Sequence, residues 1–492
     1  MTQDDHAVGE KRTYDLGRVL RGMASGVRRS VTEHPFILLL LAVTLATRLF
    51  WAVAIPAFQN PDEPQHLAYV QNLGEKVTFS PRFWIPREIG FVEELTGLVG
   101  VPFHPAETQM FKARSLDGPK EQELDRLPDS LRTTDQIGRA DSAVDYPPTY
   151  YFIASLVYRA LAGFDLLTIV FGIRALSALM STGTMLFNYL TLRRFFGDDR
   201  TAKSSALIIG MSPMYANMGA AINPDVLVWL VFSIFIYLMT RAFDDGLSSR
   251  MNLGIGATMA AGTLVKQTFL IAVPMYVILL GFLWYRKLLA PKQAVYSLAV
   301  VVAMLAVLDG WLYVSGLIGT SPSYPGEHEH QARTIIGFLQ HFHDRWWNYA
   351  NTYNTAWGTF GWLDTPISGR IFALIRTGSA IATVGLLFHL ASSIVERRPD
   401  LKAMFYVLVS VAYVLAWVGL NYLRITSGEA WLLQGRYFFP IIVPVVALLL
   451  RGLLWFVPHA GARDAVLVAL AMGILWLQTD ALAGYVIPRF YA

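Results

Sequence analysis

Apolar residues run through this chain in long blocks separated by short polar gaps, and block length decides what they can be. A helix needs about 17–25 mostly apolar residues to cross a bilayer. About eleven stretches meet that requirement, near 36–56, 166–192, 204–221, 225–243, 252–266, 268–285, 293–318, 370–395, 403–423, 437–457 and 464–487. No continuous soluble domain remains between them. The pattern predicts an all-α polytopic membrane protein, with a transmembrane domain over 34–492 preceded by a polar arm over 1–33. One further stretch, YPPTYYFIASLVYRALAG (146–163), is apolar but marginal in length. Pro147 and Pro148 suit the first turn of a helix, and this segment reads as a helix along the outer membrane surface.

Charge gives the spans a direction. Lys and Arg collect in cytoplasmic loops. The arm carries Lys11, Arg12, Arg18, Arg21, Arg28 and Arg29 without a signal-peptide cleavage pattern, so it is expected inside. The gaps 193–203, 241–250, 285–292, 396–402 and 451–463 are also basic and then fall on the same side. Two long intervals, 57–165 and 319–369, are left outside. Loops of that length are usually functional. Both are rich in aromatic residues and prolines and read as ordered caps, apart from a highly charged middle part of the first.

Composition agrees: 54% hydrophobic against 15% charged residues is too apolar for an ordinary soluble enzyme. The net charge of +4 is explained by the arm and the basic gaps, and no nucleic-acid motif is present. The absence of cysteine excludes disulfides, thiolate metal sites and cysteine nucleophiles. There is no P-loop, no GxGxxG before a helix and no GxSxG, so nothing points to nucleotide use.

The candidate chemistry sits at the outer ends of the spans. In NPDEPQH (60–66), Asp62 and Glu63 lie between Pro61 and Pro64 just after the first span, with His66 four residues on from Asp62. An acidic pair is ordinarily an inert solvated feature. Here a helix starting at Pro64 would place Asp62 at its N-cap, where exposed N–H groups keep a carboxylate ionised and able to accept a proton. Asp225 in AAINPDVLVWL is a second acid at an outer corner, and a helix-capping role for it is compatible with catalysis. The two acids are expected to face one cleft.

Cations near spans are costly and therefore functional candidates. Arg48, Arg174, Lys266 and Arg436 are such groups, suited to a phosphate, although Arg48 and Lys266 could merely reach toward headgroups. Gly435 beside Arg436 would let a phosphate approach the backbone, and the guanidinium fork matches phosphate oxygens. The histidines of GEHEHQ (326–331) and QHFHD (340–344) lack a zinc spacing and read as polar-loop residues. Asp309, His389 and Asp480, within spans, read as paired contacts between helices.

The motifs PDEPQH (61–66), YPPTYY (146–151), NPD (223–225), GWLDTP (361–366) and QGRYFFP (434–440), in this order, resemble the GT-C superfamily of membrane glycosyltransferases, and more narrowly a bacterial membrane-protein family within it. The resemblance implies a GT-C-like bundle whose first outer loop carries membrane-parallel helices. It also implies location in the inner (plasma) membrane of a bacterium, with the site facing the periplasm. Carried over by motif, Asp62 resembles the catalytic base, with Glu63 beside it and Asp225 as the second acid. His66, Trp362, Asp364, Gln434, Arg436 and Tyr437 fall in motifs expected to bind substrate, together with Arg48, Arg174 and Lys266. Donors in the superfamily are sugars on a polyprenyl phosphate, and the acceptor would be a glycan or glycolipid. Some relatives use a divalent cation through an acidic cluster; a DxD is missing here.

The implied reaction is an inverting transfer: Asp62 takes the proton of an acceptor hydroxyl attacking in line, and polyprenyl phosphate departs with its charge met by Arg and Lys. Two other classes share parts of the pattern. A transporter or flippase of lipid-linked saccharides would show broken helices with ionisable groups near the midplane. A polymer ligase using an undecaprenyl-diphosphate donor would show an excess of cations near the site.

Overall fold

A computed structural model of the chain describes residues 35–76, 84–86, 88–89, 136–139, 146–314, 334–344, 346–426 and 434–491. The basic arm, the charged middle of the first loop and the GEHEHQ run lie outside the described residues.

In chain order the helices are α1 (Pro35–Ala54), α2 (Glu63–Lys76), α3 (Thr149–Ala160), α4 (Leu166–Phe196), α5 (Asp199–Gly210), α6 (Pro213–Met218), α7 (Asp225–Asp245) and α8 (Ser249–Thr263). A 3-10 turn at Gln267–Ile271 leads into α9 (Ala272–Tyr285), followed by α10 (Pro291–Val314), α11 (Ile335–Asp344), α12 (Trp346–Gly358), α13 (Gly369–Val395) and α14 (Leu401–Thr426). A second 3-10 turn, Gly435–Ile441, opens α15 (Ile442–Trp455). Last come α16 (Ala460–Asp480), a π turn at Ala481–Val486 and α17 (Ile487–Tyr491). Two small antiparallel hairpins accompany them, β1 (Trp84–Pro86) with β2 (Gln136–Arg139), and β3 (Thr359–Phe360) with β4 (Thr365–Pro366).

Nine helices among the described residues are long and apolar enough to cross a membrane: α1, α4, α7, α9 with its turn, α10, α13, α14, α15 with its turn, and α16 through α17. Two of the expected spans are shorter than the hydropathy suggests. The block near 204–221 breaks at Met211–Ser212, where Pro213 starts a new helix and cannot donate back into the old one. The block near 252–266 forms α8, whose 15 residues extend only about 22 Å before the chain turns at Leu264–Lys266. The 146–163 segment yields the 12-residue α3, too short to cross, which buries Tyr150, Tyr151 and Tyr158 against α2 and α4.

Local signals set the helix ends. Asp165 caps α4 by accepting from the Thr168 N–H at 2.9 Å, and Gly197, at φ +67°, closes it in the left-handed region. Asp198 and Ser368 cap α5 and α13 in the same way. The long helices bury their small and aromatic faces and leave Leu39, Val53, Val307, Leu374 and Leu387 exposed, the reverse of a soluble surface and the arrangement hydrocarbon favours.

The five basic gaps meet at one end of the bundle. Arg194 pairs with Asp244 at 3.5 Å, Lys402 with Asp244 at 2.7 Å, Arg451 with Asp400 at 2.7 Å and Arg200 with Asp464 at 2.8 Å. Arg286 donates to the Phe243 carbonyl, adding the remaining gap. His389 meets Asp400 at 3.0 Å in this group. The opposite end of the bundle, where α1 finishes and α7 begins, holds the residues described next.

Candidate active site

Between α1 and α2 the chain folds back on itself through Ile55–Asp62. Phe58 and Asp62 both take left-handed conformations, φ +66° and +65°, which a non-glycine residue adopts rarely and Asp more readily than most. The Asp62 carbonyl accepts from the His66 N–H at 3.1 Å, so this residue does stand at the helix start. Its carboxylate reaches Arg436 instead, whose Nη2 donates to Oδ2 at 2.7 Å.

Asp225 opens α7. The Asn223 side chain accepts its N–H at 2.7 Å, which fixes the Asn-Pro-Asp turn. Lys266 Nζ lies 2.6 Å from its Oδ1, and Arg436 Nε lies 3.6 Å from Oδ2, an ion pair too long for a hydrogen bond. Arg436 therefore pairs with both acids. Two carboxylates face two cations, and the four formal charges cancel. Asp225, Lys266 and Arg436 are buried, whereas the Asp62 side chain is 23% exposed. Among the described residues, Arg436 Nε and Nη1 and Asp225 Oδ2 have no hydrogen-bond partner.

Aromatic groups frame this quartet. The Lys266 ammonium lies 4.7 Å from the Tyr146 ring centroid and 5.2 Å from that of Tyr437, close enough for cation–π attraction. His66 is buried and bonds the Tyr151 hydroxyl at 2.9 Å. Burial pushes its pKa down to about 4, more than the nearby Asp62 charge raises it, so at neutral pH it is an uncharged imidazole. Gly435 is needed for approach: a Cβ there would enter the backbone of Ala356 in α12, and its N–H donates to Thr355 Oγ1 at 2.8 Å. This contact backs the Arg436 turn against the second outer interval.

Beside the quartet a narrow crevice of about 20 Å³, open on one side, lies between α7, α14 and the two 3-10 turns that lead into α9 and α15. Asp225, Arg436 and Tyr437 form its polar end, and Trp229, Phe232, Phe269 and Pro440 its apolar wall.

The site does not fit a divalent cation. The place where a metal ion would bridge Asp62 and Asp225 is taken by the Arg436 guanidinium, and the described residues contain no group of three His, Asp or Glu that could hold one.

With this geometry in view, residues 45–445, which include all four charged members of the quartet, match a family described as "Predicted membrane protein (DUF2142)". The chain belongs to the DUF2142 family. Among solved structures, this DUF2142 protein is similar to ArnT from Cupriavidus metallidurans bound to undecaprenyl phosphate, at 15% identity over 92% of this chain and 78% of that one, with a TM-score of 0.36. It is also similar to the Archaeoglobus fulgidus oligosaccharyltransferase in complex with Zn and sulfate, at 12% identity and a TM-score of 0.45. That second match covers 92% of this chain and 53% of the other, so the DUF2142 protein spans about half its length. No curated protein matches.

Other expected site residues of the DUF2142 chain are outside the quartet itself. Glu63, expected beside Asp62 among the catalytic residues, and Arg174, expected among the substrate contacts, bond each other in a fully buried pair. Arg48, also expected at the phosphate, lies wholly buried in α1 and donates to Ser181 Oγ at 2.7 Å and to the carbonyls of Thr44 and Gly210. Gly210 ends α5, so Arg48 serves the helix break at 211–212, where orphan carbonyls attract a cation. Trp362 and Asp364, expected to touch substrate, belong to the turn joining β3 to β4. Trp362 Nε1 donates to the Phe58 carbonyl at 2.9 Å, and Asp364 pairs with Arg489 at 3.0 Å, which ties the C-terminal segment to the Asp62 loop. Gln434 precedes the 3-10 turn and accepts from the Tyr437 N–H through its carbonyl. Tyr146 and Tyr151, which frame the quartet, carry no individual mark in the sequence. The only available signal was the YPPTYY motif, whose tyrosines are too many for a solvent-facing turn.

Proposed function

We propose that this protein is an inverting membrane glycosyltransferase of the GT-C type, moving a sugar from a polyprenyl-phosphate donor to an acceptor hydroxyl at the periplasmic face of a bacterial inner membrane. The observation that carries this reading is the Arg436 guanidinium. It is buried, the three N–H groups on its Nε and Nη1 have no hydrogen-bond partner among the described residues, and it joins a partly exposed carboxylate to the head of a narrow, largely apolar crevice. A lipid phosphate matches those requirements, with its oxygens on Arg436 and Lys266 and the first isoprene units along Trp229 and Phe269.

In the proposed reaction the donor phosphate takes over the Arg436 N–H groups and frees Asp62. Asp62 then accepts the proton of the acceptor hydroxyl while that oxygen attacks the anomeric carbon from the side opposite the phosphate. The bond from the anomeric carbon to the phosphate oxygen breaks, and polyprenyl phosphate leaves with its added charge matched by Arg436 and Lys266. Neutral His66, beside Asp62, offers a hydrogen bond to a sugar or acceptor hydroxyl without competing for the proton. Among the described residues two cations are balanced by two acids, which suits a monophosphate better than the diphosphate a polymer ligase would use.

The test is incubation of purified protein with a panel of polyprenyl-phosphate sugars and acceptor glycans, with detection of the released lipid phosphate. Release dependent on both substrates is expected. Failure to bind any lipid phosphate would remove the basis of the reading.

A further inference from the structure

The Glu63–Arg174 pair lies next to the quartet and takes no part in the proposed transfer, although it is the most completely bonded group in this part of the molecule. Arg174, two turns into α4, has five N–H groups, and all five are committed. Nε donates to Glu63 Oε1 at 2.8 Å, and Nη2 donates to Oε2 at 2.5 Å and to the Pro56 carbonyl at 2.9 Å. Nη1 donates to the carbonyls of Ala52 and Ile55 at 2.7 and 2.6 Å. These carbonyls lie at the end of α1, where no further helical turn supplies N–H donors to them. No donor remains for a phosphate.

Glu63 is equally saturated. It is fully buried and accepts from the Phe58 N–H at 3.0 Å and the Ile222 N–H at 3.2 Å in addition to Arg174. The first bond holds the left-handed turn at Phe58, and the residue itself directly follows Asp62. The second reaches across 159 positions to the loop that ends in Asp225. A neighbouring contact reinforces that loop: the Asn223 N–H donates to the Tyr150 hydroxyl at 3.1 Å, and Tyr150 meets Ser177, one turn beyond Arg174 on α4, at 2.9 Å.

We infer that Glu63 and Arg174 are positioning residues that set the spacing of the two site carboxylates. One buried ion pair fixes the backbone on both sides of Asp62 and the backbone leading to Asp225, so that the two acids reach the same guanidinium. This rests on the transferase reading for what the spacing serves, while the bonding itself does not. A buried charge pair with every donor and acceptor filled is rigid and specifies a single arrangement. A shift of about 1 Å at a reacting group costs on the order of 100-fold in rate.

The experiment compares Glu63→Gln, Arg174→Lys and Asp62→Asn with the parent protein. It reads undecaprenyl phosphate binding, kcat and donor KM, and the pH dependence of kcat. Arg174→Lys keeps a cation beside Glu63 and so protects the comparison if Glu63→Gln folds poorly. Expected for both pair variants is lipid-phosphate affinity within about threefold of the parent, kcat lower by on the order of 100-fold, and an acidic limb that persists because the proposed base is unchanged. Parental turnover in either folded variant overturns the inference. So does loss of the acidic limb in Glu63→Gln, which would make Glu63 the base, and so does failure of both variants to fold, which would make the pair solely architectural. Parental turnover in Asp62→Asn would instead contradict the transferase reading itself.

Discussion

Arg436 donates to Asp62 across 2.7 Å although 374 positions separate them in the chain. The bond closes the molecule on itself: the loop after the first span meets the turn that opens α15, and Asp225 on α7 pairs with the same guanidinium. A resting site with this arrangement holds its base neutralised until another anion claims the arginine. Arg436→Gln is therefore expected to lower undecaprenyl phosphate affinity by roughly 10- to 100-fold, the size of a lost charge-assisted hydrogen bond. Equilibrium binding in detergent checks this; unchanged affinity places the phosphate elsewhere.

Lys266 is predicted to matter for stability as well as binding. Lys266→Met leaves Asp225 buried without its 2.6 Å partner, and breaking such a pair costs about 3–5 kcal/mol. The double change Lys266→Met with Asp225→Asn removes the stranded charge and should recover most of the loss. Thermal melts of the two variants decide it, and equal destabilisation would show that the pair is not coupled.

His66 gives a pH dependence with a defined sign. Burial lowers its pKa from 6.5 to about 4 in the folded protein, so between these values the unfolded chain binds the extra proton. The stabilisation from keeping the ring neutral is complete above pH 6.5 and is lost as the pH falls toward 4, reaching about 3 kcal/mol at most. Melting temperatures between pH 7 and 4 should fall more steeply in the parent than in His66→Gln. Parallel curves would contradict this assignment.

Sidedness is testable because the chain contains no cysteine. Gly163 and Gly461 both face open space and lie at opposite ends of the bundle, one just before α4 and the other beside the basic gaps. In intact cells a membrane-impermeant maleimide is expected to label Gly163→Cys and spare Gly461→Cys. The reverse pattern would put the Asp62 cluster in the cytoplasm.

The hydropathy blocks made the long spans legible, and the Asn-Pro and Pro-flanked acids marked Asp62 and Asp225 as outer-corner residues. Lys266 and Arg436 stood out because cations near spans are costly. Partnership was not legible. Glu63 and Asp62 are adjacent and chemically alike, yet one carboxylate is walled in by four N–H groups and the other is partly open. That difference depends on a left-handed backbone at Asp62 and on Arg174, 111 positions away. Arg48 and Arg174 looked equivalent for the same reason. Each is a guanidinium in a span, and only packing shows that both end on backbone carbonyls at helix termini. The break at 211–212 was hidden inside an apolar block whose Ser-Pro step carries the signal.

The most direct measurement pairs lipid-phosphate binding with turnover in Asp62→Asn. If Asp62 is the base and also the group that occupies Arg436 at rest, this variant binds undecaprenyl phosphate more tightly than the parent and transfers no sugar. Parental turnover, or weaker binding with turnover intact, would contradict the account.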